Sequence, residues 1–425
     1  MRRLDSCLVL LAAATFVVPA EAQTIAITGG KVYPVSGPPI EHGTVLMRDG
    51  KIVAVGANVD VPAGATRVDA TGKWVTPGLV DAGNQLGLVE IEAVADTRDD
   101  RATGTNGIAA AFRAWEGFNS TSVSVRSSRN EGVTSVVVFP QGGLVAGQVA
   151  VLDLADGSPK QMLVRAPVSM LGDASRNVAA RAEALGRWRA LLDDVRYYAR
   201  HRAEFDRSQA RVLSAPWADL EALMPVVDGK LPLVLYADKS TDIENALALA
   251  KEYALKLIII GGAEAWMVAP QLAAAKVPVL TGAMNNIPSS FETLGQRQEN
   301  AGLLRAAGVE VVLIGNAGGG DEDAFNVRNI KYEAGNAVAY GMKWDDALRA
   351  ITLGPAEVFG VGDRVGSLRS GRDADVVVWN GDPFEFATRA EQVYIRGKRM
   401  SGDSRQDQLI KRYQQLPPKW GPSDR

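Results

Sequence analysis

Five short apolar runs punctuate the middle of the sequence, at residues 133–139, 233–237, 257–260, 277–281 and 309–315. They are continuous rather than alternating, as expected of strands covered on both faces. Segments with helical spacing lie between them, such as STDIENALALAKEYA and AEAWMVAPQLAAAK. Repeated strand-then-helix units predict a parallel sheet. A stretch of roughly 280 residues built this way suits a (β/α)8 barrel, whose chemistry sits at the C-terminal ends of its strands. A doubly wound open sheet is the main rival, but no strand here runs into a phosphate-cradling Gly-x-Gly-x-x-Gly turn.

The flanks read differently. Residues 23–76 alternate apolar and polar positions between turns, and Asp49-Gly50 separates two such stretches as a hairpin signal, because both turn positions need positive φ. A second stretch of this kind runs from RVGSLRSGRDADVVVWNGDPF to AEQVYIRGKRM. Strands at both ends predict that the ends meet in one small β domain.

Arg2 and Arg3, the apolar run 8–18 and the small-x-small site Ala20-Glu21-Ala22 form an export signal over residues 1–22. The mature chain would start at Gln23, losing Cys7, the one cysteine, so no disulfide is needed in an oxidising compartment. With no other stretch of ~20 consecutive apolar residues, a soluble periplasmic or secreted protein without a membrane span is expected. A net charge of −3 offers phosphate backbones no basic field, which argues against nucleic acid. Two histidines and one cysteine cannot fill the four ligand positions of a closed zinc site from His and Cys alone. The arginine-rich region 177–208, with acidic residues interleaved, reads as a solvated helical face, an anionic partner site being the minor reading. The polar tail 401–425 reads as a short helix and a Pro-rich end.

The strings GKWVTPGLVDAGNQLGLVE at residues 72–90 and ALRAITLGPAEVFGVGDRVGSLRSGRDADVVVWNGDPFEF at residues 347–386 resemble the amidohydrolase superfamily, and most of all its exported, imidazolonepropionase-like branch. The resemblance implies a distorted (β/α)8 barrel over residues 77–362 and a β-sandwich made from residues 23–76 and 363–400. It also implies zinc or another divalent metal. In that family a metal-bound hydroxide hydrolyses C–N bonds, since the ion lowers the pKa of water and polarises the carbonyl. The first strand there ends in Asp-Ala-His-x-His, two later strands each give one His, and the last gives an Asp. Here Asp81-Ala82 is kept, but Gly83 and Gln85 hold the two first-strand histidine positions, Tyr236 and Gly261 the later two, and Asn316 the closing aspartate position. His42 reads as an exposed turn residue and His201 as part of the arginine-rich helix, so neither is a metal ligand and no metal or other cofactor is expected.

Three other constellations carry chemistry-bearing residues. Glu90, Glu92, Asp96, Asp99 and Asp100 follow the first strand and form either a hard-cation site or a solvated loop. Asp321, Glu322 and Asp323 follow a Gly run after the last strand, a flexible loop or an anion cradle opposed by its own carboxylates. Tyr236, Asp238 and Lys239 lie at and after a strand end, where a Tyr or Lys of lowered pKa would serve acid/base work. Gly142, Gly143 and Gly147, in FPQGGLVAGQVAVLDL, resemble a loop that approaches substrate in the family, or form a Gly-rich turn between two strands.

The leading expectation is therefore a non-catalytic relative, either the partner subunit of an active paralogue, with self-association as another form, or a binding protein for a small molecule. The alternatives are a hydrolase of amide or cyclic-amide C–N bonds with an altered site, and an extracytoplasmic structural component.

Overall fold

The computed structural model describes residues 24–175, 180–207, 211–284, 287–288, 290–315, 324, 326–400, 402–403 and 405–414. The expected export signal lies outside these residues. From the N-terminal side come β1 (Thr24–Val32), β2 (Ile40–Arg48), β3 (Lys51–Gly56), β4 (Thr66–Asp69) and β5 (Trp74–Pro77), and from the other end β14 (Val376–Trp379), β15 (Ala390–Ile395) and β16 (Lys398–Met400). They form one sheet in the order β16-β15-β14-β5-β1-β2-β3, with β4 beside β1. The two chain ends join where β14 runs antiparallel to β5, pairing Val377 with Thr76. Asp49 and Gly50 take φ values of 51° and 75°, the positive pair the hairpin signal requires. The sheet then curls over. The Ala374 amide donates to the Gly50 carbonyl at 2.9 Å and the Ile52 amide to Arg372 at 2.9 Å, enclosing Ile27, Val45, Ile52, Val376 and Tyr394 in one apolar core.

The barrel strands are β6 (Leu79–Asn84), β7 (Val133–Val138), β8 (Val145–Asp153), β9 (Leu163–Asp173), β10 (Leu233–Ala237), β11 (Leu257–Gly261), β12 (Val279–Thr281) and β13 (Val311–Leu313), neighbours in that order. Ladders from β9 to β13 and between β6 and β7 are parallel. β8 is reversed, antiparallel to β7 and β9. This is the distortion: chain returns directly from β7 to β8 through residues 139–144 without a crossover helix. At the seam between β13 and β6, the Val80 amide donates to Ile351 at 2.8 Å, a residue outside any strand.

Both faces of the strands are buried, which explains the uniformly apolar runs. Leu79, Leu235 and Ile259 belong to the apolar layer shared with the helix residues Trp188, Leu249 and Leu272. Val80, Val234, Ile258, Leu280 and Val312 fill the barrel interior with Phe139 and Phe359, whose rings meet edge-on at 5.9 Å. The arginine-rich helix spans Arg181–Arg200, buries Trp188, Leu191, Leu192 and Val195, and breaks at His201 before a short helix Arg202–Asp206. Two of its arginines pair with carboxylates, Arg189 with Glu252 at 3.0 Å and Arg181 with Asp242 at 3.0 Å, and Arg196 lies on the Tyr253 ring at 4.6 Å. A helix spans Arg405–Gln414, and the Pro-rich end beyond it lies outside the described residues. Among the described residues no helix is long and apolar enough to cross a membrane.

Candidate functional site

In β6, side chains alternate, so Val80 and Ala82 enter the barrel. At Gly83 the ladder to β7 slips by one residue and φ turns to 80°, a conformation that L side chains rarely adopt. A Cβ built there would stand 3.4 Å from Ile260 Cδ1 and 3.8 Å from Ile314 Cδ1. The ends of β6 and β11 and the residue after β13 thus meet in hydrocarbon. Gln85 is buried, and its Nε2 donates to the Phe139 carbonyl at 3.4 Å. Asn84 between them closes the turn, donating to the Asp81 carbonyl at 3.2 Å and accepting from the Leu86 amide at 3.1 Å.

In β10, Val234 and Tyr236 face inward, and Tyr236 stands in register with Ile260 on one side and Asp173 on the other. Its carbonyl accepts from Ser175 Oγ at 3.0 Å. In β11 the inward residues are Ile258 and Ile260. Gly261 is in register with Ala237, which packs outward, so the inward position at this strand end is Ile260, one residue before the glycine assigned from sequence. Ile314 follows β13 and is buried, and its amide donates to Thr281 at 3.2 Å. Asn316, Asp321, Glu322 and Asp323 lie outside the described residues.

Asp173, at the end of β9, escaped the sequence reading. A Cβ on Gly172 would meet Trp188 on the outer face, so alternation turns Asp173 inward beside Tyr236. It is buried, and its Oδ1 accepts the Ser175 amide at 2.8 Å. The signal was an apolar run ending in Asp, SMLGD, obscured because Pro167 argues against a strand.

Asp238 is buried after β10, and its carbonyl accepts the Glu264 amide at 2.8 Å. Lys239 sits on the rim, 3.9 Å from Glu292 and 5.7 Å from the Phe291 ring centroid. Arg181 bridges Asp242 and Glu292 there; burial pushes the Asp242 carboxyl up, opposed by the Arg181 charge. Lys239 therefore joins an ion-pair network on the rim.

The loop glycines answer a packing demand. Gly143 faces Gly107, where a Cβ would come within 2.8 Å of backbone atoms, and at Gly147 it would come within 2.9 Å of the Phe112 carbonyl. A Cβ at Gly142 would lie 3.4 Å from Ala146 Cα. The segment after β6 is laid along this turn through bridges Arg101–Gln141, Ile108–Val145 and Arg113–Gln148.

Three of the carboxylates after β6 are engaged by neighbouring side chains, two of them through Arg98. Glu90 accepts from Asn119 at 2.8 Å and Ser122 at 3.1 Å, and buried Asp100 pairs with Arg98 at 3.1 Å and Arg101 at 3.3 Å. Glu92 also pairs with Arg98, at 3.5 Å, and Asp96 is exposed in a short 3-10 turn. Among the described residues no three His, Cys, Asp or Glu side chains cluster as a metal-holding group. His42 is exposed within β2 at φ 51°, a strand residue rather than part of a turn. The His201 ring stacks on Tyr197 at 4.1 Å, with Nδ1 2.9 Å from its carbonyl oxygen.

Residues 240–400 match the family model described as the amidohydrolase family. An imidazolonepropionase of Acidiphilium cryptum is 24% identical over 81% of this chain and 89% of its own length. Amidohydrolase tasK of Hapsidospora irregularis is 22% identical over 84% of this chain, which spans 39% of that longer protein. Among solved structures, an amidohydrolase from Thermotoga maritima MSB8 superposes with a TM-score of 0.80 at 28% identity, over 89% of this chain and all of its own. A zinc-bound adenosine deaminase from Xanthomonas campestris, at 19% identity and a TM-score of 0.53 over 92% of this chain and 97% of its own, shares the fold.

Proposed function

We propose that this chain, which belongs to the amidohydrolase superfamily, is a non-catalytic member that keeps the scaffold for binding, as the partner subunit of an active amidohydrolase or as a ligand-binding protein. The observation that carries this reading is the apolar contact around Gly83. Metal-dependent hydrolysis needs an ion held by three or four donors so that it can acidify water. The position nearest Gly83 presents the methyl groups of Ile260 and Ile314, and Gln85 has its amide turned to a main-chain carbonyl. Bare charge in such surroundings is strongly disfavoured. These donors do not fit a divalent ion. A carboxamide and a phenol are also weak ligands beside imidazole and carboxylate.

Export by the N-terminal segment belongs to the same reading, in which the protein works outside the cytoplasm.

The register of Asp173 with Tyr236 favours a second reading, a hydrolase of non-peptide C–N bonds with an altered site. An assay of full-length mature protein on a panel of linear and cyclic amides, with zinc or manganese added, separates the two. The proposal expects no turnover above the heat-denatured control. Turnover that Asp173→Asn or Tyr236→Phe removes would establish the second reading in its place.

A further inference from the structure

The opposite face of the barrel carries a groove of about 1010 Å³, at the upper end of small-molecule sites. It opens between the helices Ser240–Tyr253 and Ala269–Ala275, beneath the N-terminal ends of β10 and β11. Short side chains make the space: Ala248 on one helix and Ala274 and Ala275 on the other hold the walls apart. The floor is hydrocarbon, from Leu247, Ile258 and Val277.

Its rim carries Lys251, Lys256 and Lys276 against a single carboxylate, Glu244. All three lysines are exposed, and among the described residues none has a side-chain hydrogen bond or ion pair. The neighbouring Arg189, by contrast, is neutralised by Glu252 at 3.0 Å. An apolar trough under an excess of positive charge is complementary to one class of ligand, a hydrocarbon chain ending in an anion. We propose that this groove binds an amphipathic carboxylate of the fatty-acid type, its chain over Leu247 and Ile258 and its head among the three lysines. The proposal is independent of what the other barrel face does.

Titration of the full mature chain with dodecanoate, below its micelle-forming concentration and at low ionic strength, tests it. Saturable binding of one molecule per chain is expected. Lys251→Gln, Lys256→Gln and Lys276→Gln combined should weaken dodecanoate about tenfold, because each exposed charge contributes modestly, and leave uncharged dodecanol unchanged. Ala248→Trp, on an exposed helix position that needs no room in the core, should block both ligands with the melting temperature preserved. Absence of saturable binding, or binding that neither variant alters, would overturn the proposal.

Discussion

The nearest neighbour of the side chain that Gly83 lacks is the Cδ1 methyl of Ile260, 3.4 Å away. A strand end where the family resemblance expects a histidine instead closes on hydrocarbon from β11.

Restoring that side chain carries a penalty. Gly83→Ala should lower stability by about 1 kcal/mol, because φ of 80° is strained for an L residue even where a methyl fits. Gly83→His with Gln85→His should cost more, since an imidazole must displace Ile260 and Ile314. Denaturant unfolding of both variants checks this, and a double variant as stable as the parent would contradict it.

Glycines elsewhere separate two roles. Gly143→Val should destabilise by about 1–3 kcal/mol by forcing the β7–β8 turn off the Gly107 backbone. Gly186 sits exposed inside the helix Arg181–Arg200 with nothing within 4 Å of its added Cβ, so Gly186→Ala should stabilise by about 0.5–1 kcal/mol. Thermal unfolding of the pair reads both signs.

Acid should stabilise one part of the molecule. Asp375, buried between sheet and barrel, has its carboxyl pushed up to about 7, chiefly by burial, while its Oδ1 accepts the Arg396 amide at 2.8 Å. Burial likewise raises Asp153 to about 6, opposed by Arg396. Both folded values lie above the unfolded value of 3.8. Their contribution is therefore fully present below about pH 4 and is lost as pH rises through 6 to 7. Asp375→Asn should raise stability at pH 8 and flatten the decline between pH 5 and 8, as read from unfolding midpoints across that range.

Lys331 is fully buried, with its ammonium 2.6 Å from Glu131 and 5.5 Å from the Trp379 ring centroid. Glu131→Gln should cost about 3 kcal/mol, near the low end for a broken buried pair, because the Glu131 side chain is itself partly exposed. Adding Lys331→Met should recover much of that loss in chemical denaturation.

Much of this architecture was legible because burial on both faces writes itself into sequence. The runs at 233–237 and 257–260 became β10 and β11, and Asp49-Gly50 became the turn it signalled. β8 and β9 were harder to read. Gly147 and Pro167 interrupt their patterns, and their irregular ladders absorb residues that would break a regular strand. At the site, the tight motif around Asp81 assigned Gly83 and Gln85 to the two first-strand histidine positions from sequence alone. Periodicity alone could not tell Ile260 from Gly261, since one residue of register exchanges the inner face for the outer. Asp173 stayed hidden with its strand.

The central claim concerns donors, so the most direct test is metal content. The protein should be produced in zinc-supplemented medium, purified without chelator and measured by elemental mass spectrometry beside a zinc-binding control. We expect zinc, iron and manganese each far below one ion per chain, and unchanged by Gln85→Ala or Tyr236→Phe. One tightly held ion per chain, lost in those variants, would contradict the account.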